Sequence, residues 1–450
     1  MNRFAQRAAL VALAAWLPAL AVAQDKLVLS LEDSIKLALE QNPYYQAAKA
    51  REDQASAQVR EAIAGFFPTV NAQGTNVLDK KVFTIEFPSL IPGEPPQRIK
   101  FDFTRNYQFT VNFGVPLFTG GRLISGYKSA GYNLEATRES IRQTRQETVF
   151  GVKAAFYGVL LARETLAATQ EAVTLAEDFH KNVKNLYDVG MSSKFDLLRS
   201  EVQAANLKPQ LIRARNALEE AELRLKTLLG LDLAQPVEFR GELTFQDVEV
   251  GTDESVVAAL AARPELSQLR YQTQMAGEMV KIARAAYLPT LAVGGAYNYW
   301  ASQLNFNRNT WESFYQFNLV LNIPIFNGFS ASAKVGESKA ALKQLELTQK
   351  GLVEMVKYEV QEAILSLRQS REAILSQGKT VEEAQEAVRI AELNYKEGLA
   401  TNLDVSSAQV ALRQARTNYS LALFEYAVAL AKLEKAMGTG QRQDEETISE

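Results

Sequence analysis

Pro116-Leu117-Phe118-Thr119-Gly120-Gly121 and Pro324-Ile325-Phe326-Asn327-Gly328-Phe329 are one phrase written twice, at an offset of 208 (324 − 116). From these two points the copies run in step without insertion or loss. Tyr187 meets Tyr395, Gly190 meets Gly398, Asp196 meets Asp404, and Leu229-Gly230 meets Met437-Gly438. Upstream the repetition continues at an offset of 221 (264 − 43), pairing Ala38-Leu39 with Ala259-Leu260, Pro43 with Pro264 and Pro68-Thr69 with Pro289-Thr290. The first copy therefore holds 13 more residues (221 − 208) between its two matched blocks. A repeat near 210 residues is far longer than the roughly 20–50 of a solenoid, so the chain is a duplicated domain.

On either side of the repeated phrase the periodicity changes. Upstream, Tyr107, Phe109, Val111, Phe113 and Val115 alternate with polar or small residues, the pattern of a strand with one apolar face. Val70, Ala72 and Gly74 alternate in the same way from Thr69, so residues 69–115 read as a long hairpin. Its middle, Leu78 to Thr104, carries Pro88, Pro92, Pro95 and Pro96 and reads as a loop. In the second copy the hairpin is 290–323, with Tyr315, Phe317, Leu319, Leu321 and Ile323 on the apolar face.

Downstream the period is helical. Residues 122–187 and 329–395 contain no proline, and at ~1.5 Å per residue each predicts a helix of roughly 100 Å. Glycine turns at Gly190 and Gly398 end them, and second helices follow over 196–229 and 404–437. In the first of these, Leu197, Ser200, Ala204, Leu207, Leu211, Ala214, Leu218, Ala221 and Leu225 step by threes and fours. The second copy keeps the seam from Val405 to Leu433. Such stepping predicts helix-on-helix packing of the coiled-coil type. Pro209, whose counterpart is Thr417, predicts a kink. Short helices over 31–40 and 44–65, and over 253–262 and 264–287, open the two copies. Residues 231–252 read as an irregular linker and 439–450 as a disordered tail.

The first 23 residues have the form of a secretory signal: Arg3 and Arg7, an apolar run from Ala8 to Leu20, then Ala21-Val22-Ala23. An uncleaved anchor is the alternative, but the run is short of the ~20 residues a spanning helix needs. Without the signal the charge is −5 (47 − 52), and no basic cluster points to nucleic acid. The chain has no cysteine, which excludes disulfides, thiolate metal sites and cysteine nucleophiles. His180, the single histidine, falls mid-helix and reads as a packed or solvated position.

An exported chain with four strands of about ten residues, apolar on one face, predicts an outer-membrane barrel. Four strands cannot close one. Open edges in lipid would leave backbone groups unpaired, so several chains must contribute. Tyr297, Tyr299, Trp300 and Trp311 lie near the strand ends, where an aromatic girdle would sit; sandwich-core aromatics are the alternative.

The signal, the doubled order of helices, hairpin and long helix pair, the Pro-x-Phe-x-Gly phrase (Pro116, Phe118, Gly120; Pro324, Phe326, Gly328) and the Gly-plus-Asp turns together resemble the TolC-type outer-membrane efflux family, over residues of roughly 30 to 438. The resemblance implies a mainly α fold with a β-barrel portion. Three copies would form a 12-stranded barrel in outer-membrane lipid and an α-helical tunnel across the periplasm. It also implies docking to a periplasmic adaptor and, through it, to an inner-membrane transporter, with passive conduction and no cofactor. Val189-Gly190-Met191 and Glu397-Gly398-Leu399 match the tunnel tips that meet the adaptor, and glycine helix caps would look the same. Asp404 matches an aspartate that lines the tunnel entrance, and Asp196 matches its first-copy equivalent. Each also stands in the first turn of a helix, where a carboxylate stabilises the N-terminus. Tyr395 matches the family's closed-state network, whereas Ser407 and Ala400 replace an aspartate and an arginine. Other classes fit less well. A diffusion porin needs more strands, a pore-free coiled-coil scaffold leaves the strands unexplained, and an enzyme finds no Gly-x-Ser-x-Gly, paired histidines or phosphate loop.

Overall fold

The computed structural model describes residues 26–76, 78, 82–89, 91–102, 107–301, 304 and 311–439. The proposed signal and residues 440–450 of the tail lie outside them. In chain order the elements are β1 (Leu27–Leu29), α1 (Leu31–Gln41), α2 (Pro43–Ala64), β2 (Thr69–Asn76), β3 (Val82–Phe87), β4 (Gln97–Asp102), β5 (Tyr107–Phe118), α3 (Arg122–Asp188) and α4 (Lys194–Leu229). The second half follows with β6 (Val237–Phe239), α5 (Thr252–Ala262), α6 (Pro264–Arg284), a 3-10 turn (Ala285–Tyr287), β7 (Thr290–Ala301), β8 (Trp311–Asn322), α7 (Ser330–Lys396) and α8 (Asn402–Met437).

The duplication is kept to the residue. Helices α3 and α7 are both 67 residues long, and α4 and α8 both 36. Within each copy the long helix packs on its partner, α3 on α4 and α7 on α8. Between copies α3 packs on α8, whereas α4 and α8 meet only near their ends. The four helices thus lie side by side in the order α4, α3, α8, α7. Helix α4 runs uninterrupted through Pro209. Most of its seam is buried or half-buried, with Leu225 and Leu229 fully enclosed.

Each copy clips its entering helix pair onto the end of its last helix. Asn42 caps α2, accepting hydrogen bonds from the amides of Tyr44 and Tyr45 at 2.9 and 3.1 Å. Its amide nitrogen donates to the Leu228 carbonyl at 2.8 Å. At the matching place Arg263 donates to the Ala436 carbonyl at 2.8 Å and pairs with Glu359 at 2.5 Å. Both long helix pairs end in a left-handed glycine. Gly230 (φ +75°) lies so close to α1 that a Cβ would meet the Gln41 carbonyl oxygen at 2.7 Å.

Two segments depart from the sequence expectation. Residues 78–104 are not simply a loop, because β3 and β4 pair antiparallel with Phe83 opposite Phe101 and Ile85 opposite Ile99. All four prolines fall between the two strands, where they shape the tip instead of interrupting the pairing. The linker, irregular over 240–251 as read, holds one short strand. Its Val237–Phe239 pairs in parallel with Leu27–Leu29, and Phe239 is fully buried against Phe156, ring centroids 6.2 Å apart. Further on, Phe245 packs edge-to-face on Tyr426 at 5.1 Å, and the Tyr426 hydroxyl donates to the Gln246 carbonyl at 2.6 Å. The linker therefore crosses from the core of the first copy to that of the second.

Candidate functional site

The two ends of the bundle carry the candidate residues. At one end the strands assemble into a single antiparallel sheet in the order β2-β5-β7-β8. Register fixes its faces. Val70, Phe113 and Gly295 lie side by side with Phe317, as do Ala72, Val111, Tyr297 and Tyr315 one step along. The other face holds Asn71, Gln73, Thr110, Asn112, Asn298 and Asn318, with a 3.0 Å hydrogen bond from the Thr110 hydroxyl to the Asn298 side-chain oxygen. The apolar face is open: Tyr315 and Phe317 are 74% and 71% exposed. Strands β2 and β8 are both edges, with no further strand beside them among the described residues.

Of the four aromatics read as a girdle, three come together. Tyr297 stacks on Tyr299 at 6.0 Å, and Tyr299 on Trp311 at 5.3 Å. Trp300 does not join them. Even-numbered positions of β7 share the face of Asn298, so Trp300 points to the polar side, opposite Glu312 and Gln108.

At the other end lie the two helix turns. In each, a glycine in the left-handed region closes the long helix: Gly190 (φ +78°) and Gly398 (φ +75°). The amide of Met191 reaches back to the Leu186 carbonyl at 2.7 Å, and that of Leu399 to the Asn394 carbonyl at 2.8 Å. This pairing satisfies the last carbonyls of the helix and leaves the neighbouring side chains outside. Val189, Met191 and Leu399 are 69%, 75% and 80% exposed. Ala400 adds only its backbone, donating to the Asn394 carbonyl at 3.2 Å.

The returning helices begin with side-chain caps. Thr401 and Asp404 form a reciprocal box: the Asp404 amide donates to the Thr401 hydroxyl oxygen at 3.3 Å, and the Thr401 amide to Asp404 Oδ2 at 2.7 Å. The Thr401 hydroxyl donates to the same Oδ2 at 2.7 Å. These side-chain and backbone bonds from Thr401 hold the Asp404 carboxyl below its ordinary range, so it is ionised at neutral pH. Asp196 stands one step short of this. The Ser193 hydroxyl donates to its carboxylate at 2.6 Å and accepts from its amide at 3.1 Å, without the return bond from the cap backbone. Ser407 is exposed one turn beyond Asp404. The matching place after Asp196 holds Arg199.

Sequence reasoning missed the links that tie the two turns together. Asn402, 2% exposed, donates to the Asp196 carbonyl at 3.1 Å, and the Ser406 hydroxyl bonds Gln203. Tyr395 does not reach either aspartate. Its ring packs edge-to-face on Phe179 at 5.1 Å, beside Val183 and Val405. An asparagine just inside a capped helix was a visible signal for Asn402. The Phe179 contact joins helices 216 residues apart (395 − 179) and had none.

The sequence model described as "Outer membrane efflux protein" matches residues 34–231 and 256–439, the two copies in turn. Among curated relatives, the alkaline protease secretion protein AprF of Pseudomonas aeruginosa is 27% identical over 95% of this chain and 88% of its own. The probable efflux pump outer membrane protein TtgC of Pseudomonas putida is 22% identical over 83% of this chain and 75% of its own. The fold superposes on the crystal structure of the Campylobacter jejuni CmeC outer membrane channel with a TM-score of 0.77, at 16% identity, covering 93% and 88% of the two chains. The doubled helix pair, the sheet with one exposed apolar face and these matches agree, and the chain belongs to the TolC-type outer membrane efflux family, whose members are outer-membrane channels with a periplasmic tunnel.

Proposed function

We propose that three copies of this chain close one 12-stranded barrel and one helical tunnel, and that the assembly passively conducts substrates handed over by an inner-membrane transporter and a periplasmic adaptor. The observation that carries this is the sheet itself: four strands, two open edges and an exposed apolar face. In hydrocarbon such a sheet is stable only when β2 of one copy pairs with β8 of the next. The helices repeat the demand. Phe195, Leu198, Val202, Ile212 and Leu223 form a second stripe along α4, all exposed, and Met355, Tyr358, Leu365 and Leu375 do so on α7. These are the outer helices of the four-helix row, and in a closed ring they would meet.

Val189, Met191 and Leu399 supply the apolar tips that the adaptor grips, with Gly190 and Gly398 setting the turns. Asp404, threefold repeated, lines the tunnel entrance. Capping engages its Oδ2, and the ionised carboxylate still contributes its charge to the ring, which favours cations. Asp196 is offset by Arg199, and Ser407 adds no charge, so Asp404 dominates. Tyr395 holds the closed entrance through Phe179 instead of through a charged latch. Tyr297, Tyr299 and Trp311 anchor the barrel in outer-membrane lipid.

The test is single-channel conductance in planar bilayers, wild type against Asp404→Asn, which keeps an oxygen for the cap and removes the charge. A small conductance blocked by divalent cations in the wild type, and blocked more weakly in the variant, is expected. Equal block in both would return Asp404 to capping alone. Absence of any channel from folded protein would overturn the duct.

A further inference from the structure

The duplication lets one interface be read from another. In the row α4, α3, α8, α7, the contact between α3 and α8 joins the first helix pair to the second within one chain. Since α7 repeats α3 and α4 repeats α8, closing three copies into a ring makes α7 of one copy meet α4 of the next in the same geometry. The inner seam is held by ion pairs. Arg416 on α8 pairs with Glu171 on α3, and Lys153 on α3 pairs with Glu434 on α8 at 2.6 Å. At the 208-residue offset these become Lys208 with Lys379, and Lys226 with Gln361.

Neither replacement can form an ion pair. The side chain of Lys226 is already engaged within its own copy, donating to the carbonyls of Leu233 and Gln235 at 3.3 and 2.7 Å. Lys208 and Lys379 are exposed, and each has a carboxylate of its own copy nearby, Glu177 at 3.5 Å and Glu383 at 3.6 Å. We infer that the seam between copies places Lys208 against Lys379 of the next copy, so that the three inter-chain seams lack the ion pairs that close the three intra-chain ones. This rests on the trimeric reading above. Its consequence is mechanical. When the periplasmic end widens, the helix pairs part between copies and stay joined within them.

The absence of cysteine makes the test direct. Lys208→Cys/Lys379→Cys, treated with a short bis-maleimide, is expected to give covalent dimers and trimers on denaturing gels. Glu171→Cys/Arg416→Cys, on the inner seam, is expected to stay at monomer mass. A double variant that is trimeric by native mass and yet gives no inter-chain product would overturn the inference and leave the trimer standing. A chain that is not trimeric by native mass would overturn both. The charge is tested separately. Lys379→Glu recreates the carboxylate–cation pair of the inner seam and is expected to slow subunit dissociation by about two- to fivefold per seam. Adding Lys208→Glu should abolish that gain. Unchanged dissociation in Lys379→Glu would show that the two positions do not face each other.

Discussion

The two copies build the same joint from different chemistry. In the first, the neutral Asn42 ties α2 to the end of α4, and the residue matching Glu359 is Gly151. In the second, the joint is a charged pair, with Arg263 only 6% exposed and Glu359 41% exposed on the side chain. The lengths of the long helices, the left-handed glycine and the proline that starts the next helix are common to both. What duplication preserves is therefore backbone geometry and helix phase, while the polar clip is free to change as long as donors and acceptors stay matched. The linker shows the same division. Its first half buries Phe239 completely, and its second half leaves Phe245 partly exposed and adds polar bonds, including a bidentate pair of Arg371 with Asp247 at 2.7 Å.

The largest effect should separate the halves of the linker. Phe239→Ala removes a fully enclosed ring and should cost about 3–5 kcal/mol, whereas Phe245→Ala should cost about 1–3 kcal/mol. Thermal unfolding followed by the helical circular dichroism signal would rank them, and equal losses would erase the distinction. Next comes the joint. Glu359→Ala leaves a buried guanidinium with one partner fewer and should cost about 2–3 kcal/mol, reduced from the fully buried case because Glu359 is half in solvent. Asn42→Ala loses one cap and one cross-link, about 1–2 kcal/mol. Guanidinium denaturation of the two variants would show whether the charged joint is the more brittle.

The smallest effect lies in the two turns. Asp404→Ala opens a complete capping box and Asp196→Ala a partial one, so hydrogen exchange in the first turn of α8 should rise more than in that of α4. The pH dependence has a fixed sign. Because Thr401 depresses the Asp404 pKa, its contribution is complete above the ordinary value of 3.8 and is lost as pH falls through the lower folded value. Protection of the α8 turn relative to the intrinsic exchange rate should hold constant down to about pH 4 and fall below it.

Much of this architecture was legible beforehand. A strict offset of 208, helical stepping without proline and strict alternation in the strands carry strong local signals, and the helices and hairpins fall within a few residues of the reading. The misses have physical reasons. Val82–Phe87 and Gln97–Asp102 alternate well enough for strands, but four prolines outweighed them. Val237–Phe239 is three residues long and becomes a strand only by pairing with Leu27–Leu29. Trp300 was misplaced for a different reason, since its even position already assigned it to the face of Asn298. At the tips, glycine turns and capping aspartates are written locally. Whether Tyr395 meets an aspartate or Phe179 depends on how two helix pairs are rotated against each other, which no local pattern encodes.

The parallel pair of β1 and β6 sets an order of events during biogenesis. Leu27 and Val237 stand 210 positions apart (237 − 27), and no strand lies between them in their two-stranded sheet. The α3–α4 hairpin lies wholly inside that loop and can form from nearby contacts, while the strand pair must wait for the loop to be delivered. Leu27–Leu29 therefore stays without a backbone partner until Val237–Phe239, 210 positions further along the chain, is in place. Until then Leu27–Leu29 is unpaired chain, and it becomes a strand only when Val237–Phe239 is brought beside it.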